Sequence, residues 1–183
     1  HKIITIGEDG VARDLLYNVD AEFLTISVNG IYFSEASKDR IGFYNFSKRE
    51  TQYSPVPFHP SGVVMSAEQT VLNVGATNHV FGYSFKIMDD GSLKFGQEYI
   101  HYHIPYGNTS SGVTGMTIDV ENLLYSATPM GVQVSDQLGR VNFIFSNPMG
   151  STTDVKLAGS NLDILYTSSS GKLFSRKKYF SGT

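Results

Sequence analysis

TISVNGIYFSEASKDRIGFYN (Thr25–Asn45) can be laid over three later stretches of the chain: VMSAEQTVLNVGATNHVFGYS (Val64–Ser84), TIDVENLLYSATPMGVQVSD (Thr117–Asp136) and KLAGSNLDILYTSSSGKLFS (Lys156–Ser175). Each begins with a short apolar strand and a polar turn. A second strand ending in small residues, a loop and a third alternating strand follow. An internal period on the order of 40–50 residues, built from short strands, marks a propeller-type array. Period-two alternation recurs throughout, and no long helical apolar stripe interrupts it.

Working outward, Lys2–Ile6 and Val11–Tyr17 flank Glu8-Asp9-Gly10, and Val28-Asn29-Gly30 turns the next pair. Met88-Asp89-Asp90-Gly91 and Gln137-Leu138-Gly139 turn the outer pairs of later units. Such residues tolerate positive φ or bond their own backbone, which is what tight hairpins require. Residues 1–183 therefore read as one partial β-propeller domain. Blade-like units lie at about 22–53, 62–101, 114–146 and 151–178, and 1–17 form the outer strands of a preceding blade. That makes about 17 strands, at four per blade, where a six-bladed ring needs about 24. A closed four-bladed ring would use the first outer strand to complete the last sheet, but it leaves Lys2–Ile6 without a place. The larger ring is the better expectation. The missing blades are then expected from the same polypeptide or from another copy, because an open arc exposes apolar faces. The opening HKIITIGEDG already lies inside a strand–turn–strand unit, so the natural start is expected upstream.

Composition agrees with an all-β chain: 40% hydrophobic and 17% charged, with 11 Tyr and 12 Phe favouring a pleated, half-buried surface. A formal charge of −3 gives no electrostatic reason to expect nucleic acid or an anionic membrane as partner. No apolar run approaches the roughly 20 residues that span a bilayer. The basic run Arg176-Lys177-Lys178 reads as an exposed strand end. The absence of cysteine excludes disulfides, thiolate metal sites and thiol nucleophiles. N-x-S/T triplets at Asn45 and Asn108 are compatible with a periplasmic or secreted setting.

Residues at the start of each innermost strand ring one mouth of a propeller's channel. Here they are Ala21-Glu22, Pro60-Ser61-Gly62, Val113-Thr114-Gly115 and Thr153-Asp154. SGVVMS…VLNVGAT, TGMTIDVENLLYSATPMGVQVSD and TTDVKLAGSNLDILYTSSSGKLFSRK resemble the last three blades of the gluconolactonase/regucalcin-like six-bladed propellers, which are also grouped with luciferin-regenerating proteins. The closing LFSRKKYFSG is similar to the final strand of bacterial members. The resemblance is clearest over Gly112–Lys178 and extends back to about Lys2. It implies hydrolysis of a sugar lactone or related ester at a divalent ion, calcium, magnesium or zinc, acting as a Lewis acid. The family's ligands are a glutamate from its first blade, an asparagine before glycine and an aspartate in D-G-M.

At those positions this chain has Ser61 in Pro60-Ser61-Gly62 and Thr114 in Thr114-Gly115-Met116. The family's substrate-contacting pair falls near Glu22-Phe23. Hydroxyls in place of carboxylate and amide remove the charge that offsets cation dehydration. The expectation is a scaffold that has kept its frame without its metal site, acting as a binding or interaction module. The alternative is a divergent metal-dependent lactone or ester hydrolase, with Glu22 and Asp154 as relocated carboxylates and His59 as general base. Its partner would be a small sugar-lactone-like molecule.

His101-Tyr102-His103 has a spacing that could chelate zinc, but it falls at the outer rim without a third ligand nearby in sequence. The glycine/serine loop Tyr106–Gly112 lacks the lysine and following helix of a phosphate-binding loop. Asp39, Asp89, Asp90 and Asp136 lie in turns without calcium-loop spacing, and no G-x-S-x-G elbow is present.

Overall fold

The computed structural model describes residues 1–147 and 149–178. Two strands, β1 (Lys2–Ile6) and β2 (Ala12–Tyr17), form an antiparallel pair. Three four-stranded antiparallel blades follow. The first blade is β3 (Leu24–Ile26), β4 (Gly30–Glu35), β5 (Arg40–Asn45) and β6 (Glu50–Pro55). The second is β7 (Pro60–Met65), β8 (Val71–Ala76), β9 (Phe81–Ile87) and β10 (Leu93–His101). The third is β11 (Met116–Ile118), β12 (Leu124–Thr128), β13 (Gly131–Ser135) and β14 (Val141–Phe145). A fourth, three-stranded blade holds β15 (Asp154–Ala158), β16 (Ile164–Ser169) and β17 (Lys172–Lys177). The chain is thus an arc of a β-propeller. The closed four-bladed arrangement is not what forms among the described residues: β2 pairs with β1, and there β17 pairs with β16 alone. Of the closing LFSRKKYFSG, residues 179–182 lie outside the described residues.

The outer hairpin of each blade turns by the same device. Asp9, Asn45, Asp90 and Asp136 each accept the backbone N–H two residues ahead, from Val11, Ser47, Ser92 and Leu138, at 3.0, 3.0, 2.9 and 2.9 Å. A short polar side chain that closes such a ring substitutes for a backbone turn. Four different tetrapeptides therefore produce the same reversal.

Burial follows the radial position of each strand. Every residue of β4, β7, β12 and β13 is buried, whereas β6 and β17 are mostly exposed and β14 has no buried residue. Inner and middle strands are covered on both faces by neighbouring blades, so they read as nearly continuous apolar runs. The apolar cores accordingly lie between blades. Ile3, Val19, Phe33 and Tyr44 join the β1–β2 pair to the first blade. Tyr32, Phe43, Phe58, Leu72 and Val74 join the first to the second. Val64, Ile100, Met116 and Leu124 join the second to the third, and Tyr125, Val134, Val155 and Leu165 the third to the fourth. On β1 and β2 and the hairpin between them, Ile6, Val11 and Tyr17 remain more than half exposed.

Innermost strands of adjacent blades approach closely enough to require glycine. The Gly62 N–H donates to the Thr114 carbonyl at 2.8 Å. A Cβ on Gly62 would sit 2.2 Å from that same oxygen and 3.0 Å from the Met116 nitrogen. Backbone cannot yield as a side-chain tip can. Gly62→Ala is expected to cost about 2–3 kcal/mol of stability through forced separation of two blades, read as a lowered urea midpoint. An unchanged midpoint would show that the strands part freely.

Candidate functional site

The loops that enter the innermost strands and the turns between the two middle strands of each blade gather at one mouth of the channel. Backbone bonds knit them together: Thr77 N–H to His59 O at 3.1 Å, Ser111 N–H to His79 O at 2.8 Å, and Thr152 N–H to Thr128 O at 3.1 Å. Here the structure places Glu22, His59, Ser61, Thr114 and Asp154, in five different environments.

Ser61 is fully buried, and its Oγ has no hydrogen-bond partner. A Cβ placed on Gly75 of β8 would lie 2.6 Å from that oxygen and 2.8 Å from Val113 Cγ1, so the hydroxyl points into apolar packing between blades. Ser61 opens β7 at the mouth, but its hydroxyl does not reach solvent. An orphaned buried hydroxyl costs about 1–3 kcal/mol. Ser61→Ala is therefore expected to stabilise the protein by about 1 kcal/mol, visible in urea denaturation. A destabilised variant would show that the hydroxyl has a bound partner.

Thr114 is half-buried, and its Oγ1 donates to the Ala127 carbonyl of its own blade at 3.4 Å. Asp154 opens β15. Its Oδ1 accepts the Val155 N–H at 2.8 Å, and Lys156 Nζ stands 3.9 Å away. That lysine donates to the Met116 carbonyl at 2.9 Å, so it bridges the third and fourth blades while partly neutralising the aspartate. The Asp154 carboxylate fits against Gly115, whose absent Cβ would lie 1.7 Å from Asp154 Oδ1. Glu22 is exposed, with its backbone N–H bonded to Ser34 O at 3.1 Å. Among the described residues, no three His, Asp or Glu side chains converge in a way that could hold a metal ion.

His59 has a partner that the sequence did not reveal. Its Nδ1 lies 2.5 Å from Asp39 Oδ1, and both side chains are about half exposed. Asp39 ends a short 3₁₀ turn, Ala36–Lys38, between β4 and β5, with φ 48°. The two residues come from consecutive blades and meet because both segments end at the same mouth. No local spacing could have signalled it. An aspartate on Nδ1 orients an imidazole and leaves Nε2 as the outward-facing nitrogen. Nearby, Glu35 is buried and accepts from the Asp20 N–H at 2.8 Å, Lys38 at 2.8 Å and Arg40 at 2.5 Å. Burial pushes its carboxyl up, but these three donors outweigh burial and hold it below the ordinary carboxylate range.

The remaining sequence candidates serve packing. His101 ends β10, and its ring stacks on Phe81 with centroids 5.0 Å apart. His103 lies beyond the strand, and its backbone N–H and carbonyl are both held by the Gln133 amide, at 2.9 and 2.7 Å. In the loop after β10, Ser111 is buried and donates to the Ala76 carbonyl at 3.1 Å. The basic run divides: Arg176 and Lys177 are exposed, whereas Lys178 turns inward onto Asp119.

No protein-family model and no curated protein matches this sequence. Solved structures do match in fold. A gluconolactonase from Xanthomonas campestris, described as important in glucose secondary metabolic pathways, superposes with a TM-score of 0.80 at 17% identity over 95% of this chain and 64% of that one. A luciferin-regenerating enzyme gives 0.71 at 14% identity, over 91% of this chain and 62% of that one. Hydrazine synthase from Kuenenia stuttgartiensis gives 0.67 at 11% identity, over 88% and 49%. The chain thus spans somewhat under two thirds of the length of these gluconolactonase and luciferin-regenerating propellers. Its fold is the gluconolactonase-like, regucalcin-like β-propeller, of which it supplies four blades of a six-bladed ring. That hydrazine synthase shares the arc shows that the fold alone does not name a reaction.

Proposed function

We propose that this propeller is a binding module whose channel mouth does not hold the divalent ion of the gluconolactonases. The observation that carries this reading is the burial of Ser61, whose uncharged Oγ lies close to the Gly75 backbone and has no hydrogen-bond partner. Thr114 Oγ1 is committed to the Ala127 carbonyl, and Lys156 stands beside Asp154. Calcium needs several carboxylate or carbonyl oxygens, and zinc several imidazole, thiolate or carboxylate groups, converging on one point. These donors are dispersed between packed blades. Titration calorimetry with calcium chloride and zinc chloride is expected to give no micromolar binding, and sugar-lactone hydrolysis is expected to be absent. Micromolar binding lost on Glu22→Ala or Asp154→Ala would overturn the reading.

One observation favours a second reading. The Asp39–His59 pair at the same mouth has the arrangement of a general base and its orienting carboxylate. In that case lactone hydrolysis would proceed in the presence of EDTA, and His59→Gln would abolish it. Hydrolysis lost with EDTA but kept in His59→Gln would exclude this form of the enzyme.

A further inference from the structure

The four repeats agree on a tyrosine at one position, with one exception. The first residue of each aligned stretch faces it across the two inner strands: Thr25 opposite Tyr32, Val64 opposite Asn73, Thr117 opposite Tyr125 and Lys156 opposite Tyr166. In the first blade the Tyr32 ring stacks on Phe43 at 4.4 Å, its hydroxyl donates to the Gly91 carbonyl at 2.9 Å, and together they fill the space toward the second blade. In the third blade Tyr125 fills the space toward the fourth and donates to Asp119 at 3.1 Å. The second blade has an asparagine there, and the row across its strands is Asn73, Ser84 and Gln97. The corresponding rows are Tyr32, Phe43 and Gln52 in the first blade, and Tyr125, Val134 and Phe143 in the third.

Replacing the ring by a short amide opens a cleft of about 300 Å³ between the second and third blades. Asn73 is only 5% exposed and its Oδ1 has no partner, and Ser84 is 8% exposed beside it. Facing them from the third blade are Asn122, Asp136 and Gln137. Unsatisfied polar groups are rare inside proteins and call for an explanation. The cleft continues outward, through Ser84 and Gln97, into a hollow of about 310 Å³ that reaches Phe95. Phe95 is 75% exposed and has φ 54°, at a bulge where the pairing of β10 with β9 shifts between Lys94 and Gln97. Bulky residues rarely adopt that conformation, and bulges re-aim side chains beside binding sites. The bulge sets an aromatic face at the mouth of a polar slot.

We propose that the cleft between the second and third blades binds a neutral saccharide, one sugar ring or the end of a chain. Phe95 receives the apolar face of the ring, while Asn73 Oδ1 and the Glu68 carboxylate accept its hydroxyls. Glu68 is held at the rim by Asn122 Nδ2 at 3.1 Å. The volume suits a small ligand, and the mixture of one aromatic plate with a few convergent polar atoms is how such clefts fix orientation. Glu68 and Asp136 disfavour an anion. Asp136 is already committed: burial pushes its carboxyl up, but the backbone and guanidinium of Arg140, the Leu138 N–H and Asn142 outweigh it and hold the group at about 2.

The site stands apart from the channel mouth, so its test is independent of the metal question. Saturation-transfer-difference NMR would be run with methyl β-D-glucopyranoside, methyl β-D-galactopyranoside and methyl α-D-mannopyranoside, with glycerol as a non-ring control. At least one glycoside is expected to bind, and glycerol is not. Asn73→Tyr, which restores the residue of the other repeats and refills the cleft, is expected to abolish binding while keeping the far-UV spectrum and melting temperature. Phe95→Ala changes an exposed side chain, and is expected to weaken binding about three- to tenfold. Binding by none of the glycosides, equal binding of glycerol, or binding that survives in folded Asn73→Tyr would overturn the proposal. Should Asn73→Tyr fail to fold, Phe95→Ala decides: unchanged affinity overturns the site, and weakened affinity supports it.

Discussion

Asp119→Ala is expected to cost about 3–5 kcal/mol of stability, because it leaves a buried ammonium without its counter-charge. Asp119 is 2% exposed and Lys178 12% exposed by side chain, and they form an ion pair across the third and fourth blades. The same carboxylate closes its own turn through the Glu121 and Leu123 N–H groups, at 3.0 and 2.9 Å, and accepts from Tyr125 OH at 3.1 Å. Burial, reinforced by this carboxylate, pushes the Tyr125 phenol well above its ordinary range, so the hydroxyl remains a donor at any working pH. Asp119→Asn keeps the turn and is expected to lose less. In a double-mutant cycle, Asp119→Asn with Lys178→Met is expected to cost less than the sum of the two, since replacing a buried pair is far cheaper than breaking it. Additive losses in urea denaturation would mean that the pair contributes nothing as a pair.

Glu35→Gln is expected to cost about 2–4 kcal/mol at neutral pH, somewhat less because Lys38 and Arg40 reach solvent. Their side chains are 41% and 27% exposed, against a fully buried Glu35. Arg40 also lies over the Tyr53 ring at 3.6 Å, which keeps it in place when the carboxylate is gone. The native carboxyl titrates below its unfolded value of about 4.3. Its contribution is therefore fully present above that value and is lost as pH falls through the native one. Melting temperature against pH should fall on the acid side in the wild type, and the Glu35→Gln curve should converge on it there. Parallel curves down to the acid limit would show that Glu35 is not the group responsible.

Much of the architecture was legible because it repeats. Asp90 and Asp136 lack calcium-loop spacing in sequence, and with Asp9 and Asn45 they prove to close equivalent outer hairpins. The alternation that delimits strands works where one face meets solvent, as over Val155, Lys156 and Leu157 of β15, which are buried, exposed and half-buried in turn. It weakens in β7 and β13, which neighbouring blades bury on both faces. The site was less legible. Position at the start of an innermost strand put Ser61 at the channel mouth, but the burial of its side chain depends on packing that no local pattern displays. Asp39 looked like an ordinary turn residue until His59, 20 positions later, was brought against it.

The chain's own pattern carries the repeating unit, its turns and the hydroxyls Ser61 and Thr114 at the starts of two innermost strands. What each side chain faces was set by folding. Asn73 becomes a cleft, Lys178 a buried tether and His59 half of a pair because each meets a different blade. Local pattern specifies which side of a strand a residue occupies. The contents of that side are supplied by a neighbour some 20–60 residues away, outside the strand or turn that a local pattern describes.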